Sequence, residues 1–393
     1  MKHVLVLSTL YPNALDPRRG TFVARSVEAL AKRGDWKVSV VNPIGLSPLA
    51  LGRSRAFAGL PQVAREGGVT VHRARYTLLP GIGARRNVAA MTRAVLPLAQ
   101  HIHRESPIDL VDAQLFFPDG PAAAEIARAL GLPLSVMARG PELARWSGQD
   151  HARRQMVAAA QAARGLLAVS RASTAQLAAL GVDPARITLL PAGLDRDRFR
   201  PFNHTRLRRQ LSAELGFAMP DNAPLVVCAG ALTERKGQAI VIRALRLVEG
   251  ARLVLAGTGE DLGRLRALAA SARVADRVFF AGAVDHDLMP LILSAADVSV
   301  LPSAAEGMAN VWVESLACGT PVVTSDVGAA RELIASDVAG RLVGRTPEAV
   351  AAGINAILKA PPPRENVAAL VEGLSWDANA AALAAHYERL LAP

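Results

Sequence analysis

Two stretches of this chain bring together residue types suited to gripping a pyrophosphate. In CAGALTERKGQAIVIRAL an apolar run ends at Gly230, and Arg235, Lys236 and Gly237 stand in the loop before a helical pattern. Two cations beside a helix start suit a diphosphate: the helix end offers unpaired N–H groups and partial positive charge, and Arg adds a fork for phosphate oxygens. It is not a P-loop, since the spacing and the following Ser/Thr are absent. In VSVLPSAAEGMANVWVESLACGTPVVTSDVGAARELI, Glu306 precedes a turn at Gly307, and Glu314 lies about one turn into a helix, with seven residues between the two. A carboxylate accepts two hydrogen bonds from the vicinal hydroxyls of a sugar ring, and amides near Met308, Ala309 and Asn310 would face phosphate oxygens. A ligand ordered sugar, diphosphate, ribose would match this order of groups. Glutamates at a helix start are also ordinary partners of the helix dipole.

Weaker signals lie elsewhere. In LVLAGTGEDLGRL, Gly257 and Gly259 follow an apolar run, but the third glycine of a dinucleotide fingerprint falls one position late, at Gly263; a tight strand-to-helix turn would look the same. Near the N-terminus, STLYPNALDPRRGTF carries Arg18, Arg19 and Gly20, and Gly20 would allow close backbone approach to a phosphate. Two further strand ends hold polar groups, LFFPDG with Asp119 and MARGPELARW with Arg139 and Glu142. The eight histidines show no metal-ligand spacing, and no Gly-x-Ser-x-Gly elbow occurs, so neither a metal site nor a serine nucleophile is expected. The two cysteines, Cys228 and Cys318, exclude a disulfide scaffold and read as buried thiols.

Short apolar runs must position these groups. HVLVLST, KVSVVNP, VTVHRAR, IDLVDAQ, LSVMARG, GLLAVS and ITLLPAG read as strands in the first half, and LVVCAGA, ARLVLAGTG, RVFFAGAV, VSVLPS, PVVTSD and GRLV in the second. Amphipathic segments such as TFVARSVEALAKRG separate them. Near-continuous apolar strands alternating with helices imply parallel sheets covered on both faces, and two such series imply two doubly wound α/β domains. The boundary is expected near LLPAGLDRDRFRPFN, giving domains 1–194 and 195–374, with a final helix in 375–393 packing back on the first. In open α/β sheets ligands bind beyond the carboxyl ends of the strands, so two facing sheets would share a central cleft.

At 393 residues, 51% hydrophobic and 20% charged, the chain has ample core material. Its net charge of +11 is uneven, +13 over residues 1–200 and −2 over 201–393. A basic half suits an anionic surface or ligand, and an arginine-favouring genome would produce the same bias. The region around 46–100, mixing Leu, Phe and Ile with Arg53, Arg55, Arg85, Arg86 and Arg93, is the best candidate for a membrane-facing surface. The N-terminal MKHVLVLSTLYPN reads as a buried strand rather than a signal peptide, and no apolar stretch is long enough to span a bilayer.

Together these pieces resemble a retaining glycosyltransferase of GT-B architecture in the large family 4 group, over essentially the whole chain. The Glu-x7-Glu signature is matched by Glu306 through Glu314, followed by ESLACGTPVV and GAARELI, and the basic Lys-Gly loop by Arg235-Lys236-Gly237. The N-terminal TLYPN, RGTFVARSVEAL and FPDG stretches resemble the branch building bacterial cell-surface polysaccharides, including teichuronic-acid-type enzymes. The resemblance implies a hexosyltransferase that retains configuration, uses a nucleotide-diphosphate sugar without cofactor or metal, and acts on a lipid-linked or glycan acceptor. The N-terminal strand in place of a signal peptide leads us to expect a cytoplasmic protein, and the basic first half one that docks on the inner face of the membrane. Donor-binding groups carried over are Gly20, Gly230, Arg235, Lys236, Gly257, Glu306, Gly307, Met308, Ala309, Asn310 and Glu314. Catalytic roles fall to Glu306, Arg235, Lys236 and Asp119, and the acceptor side to Gln114, Arg139 and Glu142. The chain departs from the family at Ala231, where Arg is common, at Asp112 and Gln114, where a His is common, and at Gly140-Pro141-Glu142, which replaces a Gly-x-Asp loop. Two other readings remain: a nucleotide-sugar enzyme such as an epimerase, which needs no acceptor, and a two-lobed binding protein. The near-neutral second half and the lack of an aromatic-rich basic strand argue against nucleic acid.

Overall fold

The apolar runs fold as parallel strands because each is buried on both faces: five of the six residues of the first strand are buried, and all of those in LVDA, LSVMA and LVVCA. The computed structural model describes residues 1–48, 53–79, 85–220, 222–285 and 287–392. Residues 49–52 and 80–84 of the basic 46–100 region lie outside them. Two compact units result, Met1–Gly193 with Trp376–Pro393, and Leu194–Ser375.

The first unit holds β1 (Lys2–Leu7), β2 (Trp36–Leu46), β3 (Val63–Glu66), β4 (Val69–Thr77), β5 (Leu110–Ala113), β6 (Leu134–Ala138), β7 (Gly165–Ala168) and β8 (Ile187–Leu189). They form one sheet in the order β3-β4-β2-β1-β5-β6-β7-β8. All neighbours are parallel except β3 and β4, an antiparallel hairpin turned by Gly67 and Gly68 at φ 53° and 86°. β3 escaped the sequence reading because it is a short edge strand with alternate residues exposed and two of four charged. One core of aliphatic side chains lies around Val95, Ile126 and Met156, a second around Val27, Trp36 and Leu383. Each fully buried Val, Leu or Ile contributes roughly 1.5–3 kcal/mol.

The last helix, Trp376–Leu391, belongs to this second core. Tyr387 meets the Trp36 ring edge-on at 5.3 Å, and Ser26 Oγ, on the helix Thr21–Lys32, donates to Asn379 Oδ1 at 2.6 Å. A Cβ on Gly193 would lie 1.9 Å from the Trp376 ring, so that position accepts only glycine without a shift.

The second unit holds β9 (Leu225–Ala229), β10 (Arg252–Ala256), β11 (Val278–Gly282), β12 (Val298–Leu301), β13 (Val322–Thr324) and β14 (Gly340–Leu342), all parallel, in the order β11-β10-β9-β12-β13-β14. Both units are therefore doubly wound Rossmann-like α/β domains. Chain direction across the sheet reverses between β1 and β5 in the first and between β9 and β12 in the second. Such reversals open a crevice at the strands' carboxyl ends.

Candidate active site

In the second unit, the loops leaving β9 and β12 meet at the reversal point. After β9 the chain makes a short 3-10 turn, Glu234–Lys236, and enters the helix Gln238–Ala244 through Gly237 at φ 80°. A Cβ there would lie 2.5 Å from the Pro302 carbonyl oxygen, so Gly237 lets the β9 loop settle on the β12 loop. The Ala304 amide donates to the Arg235 carbonyl at 2.8 Å. Lys236 Nζ donates to Glu306 Oε1 at 2.6 Å, and Arg235 Nη1 reaches the same oxygen at 3.1 Å as well as the Ala305 carbonyl. Both cations thus converge on one carboxylate that is 8% exposed.

Glu306 and Gly307 form the turn before the helix Asn310–Ala317, whose N-cap is Ala309. The alanine side chain cannot cap the first-turn amides; of these, the Trp312 amide donates to the Ala309 carbonyl at 3.0 Å. Glu314 projects from the second turn, and burial pushes its carboxyl up to about 7. Gly257 and Gly259, read as a weak nucleotide signal, serve the packing of two strand ends: a Cβ on Gly257 would lie 1.9 Å from the Gly230 oxygen, and one on Gly259 2.1 Å from that of Leu232. Buried Cys228 and Cys318 have thiols raised to about 12, too high for a nucleophile at neutral pH.

Three supporting residues were not singled out from sequence. Gly328, at φ 55°, lies beneath the glutamate turn; a Cβ there would meet the carbonyl oxygens of Glu306 and Gly307 at 2.2 and 2.4 Å. Gln238, 1% exposed, donates from Nε2 to the Ala231 carbonyl at 2.9 Å. Arg345 donates from Nε to the Pro302 carbonyl at 2.9 Å. The signal for Gly328 was a glycine after a strand inside GAARELI, but its contact lies some twenty residues back in the chain.

In the first unit the polar strand-end residues fall into two groups. Gln114, just after β5, donates from Nε2 to Asp112 Oδ2 at 2.5 Å. Arg139, just after β6, donates from Nε to the Gln114 carbonyl at 3.0 Å and from Nη2 to its side-chain oxygen, while the Arg139 amide donates to Glu142 Oε1 at 2.6 Å. The guanidinium also stacks on Phe22 at 4.5 Å. Burial raises the Asp112 and Glu142 carboxyls and lowers Arg139 to about 10. The residues expected on the acceptor side, Gln114, Arg139 and Glu142, therefore form one network.

Asp119 lies apart from it. It is fully buried, and its two oxygens accept from the Thr9 amide at 3.1 Å and the Thr9 hydroxyl at 2.8 Å, which ties down the loop after β1. Burial pushes its carboxyl up to about 7, with the nearby Glu142 charge adding to the rise. At the far end of that loop Gly20 caps the helix Thr21–Lys32 at φ 71°. The close approach it permits in this structure is to its own chain: a Cβ would lie 2.4 Å from the Leu10 oxygen. Among the described residues no group of three or more His, Cys, Asp or Glu is placed to hold a metal ion.

Known proteins resemble this chain in sequence and in fold. Residues 20–198 match the family model described as Glycosyltransferase Family 4, and residues 216–370 match Glycosyl transferases group 1. A GDP-mannose-dependent alpha-(1-6)-phosphatidylinositol monomannoside mannosyltransferase of Mycobacterium tuberculosis is 38% identical over 42% of this chain and 46% of its own length. A 2-deoxystreptamine glucosyltransferase of Streptomyces kanamyceticus is 29% identical over 85% of this chain and 92% of its own. The chain spans about half the length of most of the curated relatives it matches. Among solved structures, sucrose-phosphate synthase from Thermosynechococcus elongatus superposes with a TM-score of 0.81 at 21% identity, covering 99% of both chains. Anabaena HepE in complex with UDP gives 0.75 at 20% identity, covering 99% of this chain and all of its own. With a match to Glycosyltransferase Family 4 in its first half, one to Glycosyl transferases group 1 in its second and two Rossmann-like sheets beneath them, the chain has the two-domain build of GT-B glycosyltransferases.

Proposed function

We propose that the chain transfers a hexose from a nucleotide-diphosphate sugar, with retention of configuration, to a lipid-linked or glycan acceptor in cell-surface polysaccharide synthesis. The observation that carries this reading is the convergence of Arg235, Lys236 and Glu306 beside the uncapped start of the helix Asn310–Ala317, at the reversal point of the second sheet. Cations and oriented amides stabilise the charge that develops on a departing diphosphate, and such preplaced groups commonly supply the largest share of rate enhancement. Arg235 and Lys236 take that role, so no divalent metal enters the reading. Glu306 accepts hydrogen bonds from the transferred sugar, and Glu314 from the ribose. The sugar C1–phosphate oxygen bond breaks, the acceptor oxygen bonds to C1 on the same face, and the acceptor proton passes to the departing phosphate. The mannosyltransferase relative, named for GDP-mannose and a phosphatidylinositol mannoside, supports a nucleotide-sugar donor and a lipid-linked acceptor. The HepE structure, holding UDP on a similar fold, supports the donor class. Acceptor recognition falls to Gln114, Arg139 and Glu142. The enzyme works in the cytoplasm, at the inner membrane face, in a teichuronic-acid-type assembly.

The test is a thermal-shift screen with UDP, GDP, ADP and their sugars on the wild type and on the Arg235→Ala, Lys236→Ala double variant. One nucleotide series is expected to stabilise the wild type, and the double variant is expected to lose that stabilisation. Turnover should fall on the order of 10²–10³-fold per group removed. Unchanged nucleotide affinity in the double variant would overturn the phosphate assignment.

A further inference from the structure

We infer that Glu306 is the internal counter-ion of Arg235 and Lys236, and that through this pairing it selects a sugar-bearing donor over a bare nucleoside diphosphate and drives release of the spent diphosphate. The inference rests on the donor-site reading above and deepens it.

A single oxygen, Glu306 Oε1, accepts from both Lys236 Nζ at 2.6 Å and Arg235 Nη1 at 3.1 Å. The side chains of Glu306 and Lys236 are 8% and 14% exposed. The Glu306–Lys236 pair is therefore less screened than one at a surface, whereas Arg235, its side chain 47% exposed, pairs with Glu306 at the site's wet edge. The carboxylate has little room to retreat. Its turn rests on Gly328, the Ala329 amide donates to the Gly307 carbonyl at 2.8 Å, and Arg235 also donates to Ala305. The carboxylate therefore holds the very donors that a diphosphate would draw on.

A diphosphate arriving on the two cations takes hydrogen bonds away from Glu306 Oε1 and sets like charges side by side. A sugar on that diphosphate replaces what is lost, because its hydroxyls donate to the carboxylate. A bare diphosphate offers no such donor, and a buried acceptor left unsatisfied carries its full desolvation cost. The carboxylate thus favours the donor before transfer. After transfer, with the sugar gone, the ion pairs re-form against the nucleoside diphosphate and displace it.

Calorimetric titration of the full chain with inorganic pyrophosphate and with UDP, GDP and ADP, for the wild type and Glu306→Gln, tests this at two salt concentrations. The neutral amide should bind pyrophosphate about tenfold more tightly than the wild-type carboxylate does, by the removal of a close like charge, with the gap narrowing as salt rises. The matching nucleotide sugar should gain less than pyrophosphate does. Pyrophosphate affinity that is equal or weaker in Glu306→Gln, or undetectable in both proteins, overturns the counter-ion role. If Glu306→Gln fails to fold, Glu306→Ala is judged by the same comparison. A wild type that binds none of the three nucleoside diphosphates and none of their sugars overturns the transferase reading instead, and pyrophosphate still decides the counter-ion role.

Discussion

Asp119 shows how much a carboxylate's setting decides what it does. It follows an apolar strand, where the sequence marks it for chemistry, yet it is wholly buried and spends both oxygens on Thr9. Taking its charge out of water lifts its carboxyl from the usual range near about 4 to about 7, so the folded state keeps the proton over a window in which the unfolded chain has lost it. Its contribution to stability is then full below about pH 4 and is lost as pH rises through about 7. Asparagine mimics the protonated form and does not titrate. Asp119→Asn should gain stability relative to wild type between pH 5 and pH 8, by up to a few kcal/mol. Urea unfolding at the two pH values measures this, and a difference between the proteins that does not change with pH would refute the buried-carboxyl account. Glu142 is coupled to Asp119, so losing that charge also eases its ionisation and adds to the pH-dependent difference.

At the scale of elements, loops from different strands hold the site, and this is where sequence stops being readable. The strands themselves were legible because burial on both faces makes each a near-continuous apolar run. The two glutamates were legible because their spacing straddles one helix start. That Glu306 would be paired to Arg235 and Lys236 was not, since the partners stand about seventy residues away and meet only once β12 has settled beside β9. Gly328 is the sharpest case. Within its own stretch it is one small residue in a turn, while in the fold it is the floor under Glu306. Gly328→Ala places a methyl group 2.2 Å from the Glu306 oxygen at a φ that side chains avoid, so the turn must move. We expect kcat/KM for the donor to fall at least about tenfold, since small displacements of positioning groups are costly. Far-UV dichroism and a cooperative thermal transition should remain. A variant with wild-type kcat and KM would show that the turn does not depend on this support.

Over the whole molecule, charge is the property divided most unevenly. The first 200 residues carry +13 and the rest −2, although both halves are built on the same kind of sheet. Fold therefore does not account for the imbalance. Arg55, Arg85, Arg86 and Arg93 are exposed there, and so are the apolar side chains of Leu15, Val63 and Leu78, at 45%, 56% and 41%. Exposed cations and exposed apolar groups on the same unit would suit a surface of anionic headgroups over acyl chains. No helix among the described residues is long and apolar enough to cross a membrane. Each cation near such a surface is worth on the order of 1 kcal/mol. Replacing Arg85, Arg86 and Arg93 together by Gln should then weaken binding to anionic vesicles roughly a hundredfold. Raising salt should do the same to the wild type, because the headgroup field decays within a Debye length. Co-sedimentation with neutral and anionic vesicles at two ionic strengths gives the answer. Binding that ignores both lipid charge and salt would assign the excess arginine to another partner or to none, and would leave the donor site in the second unit untouched.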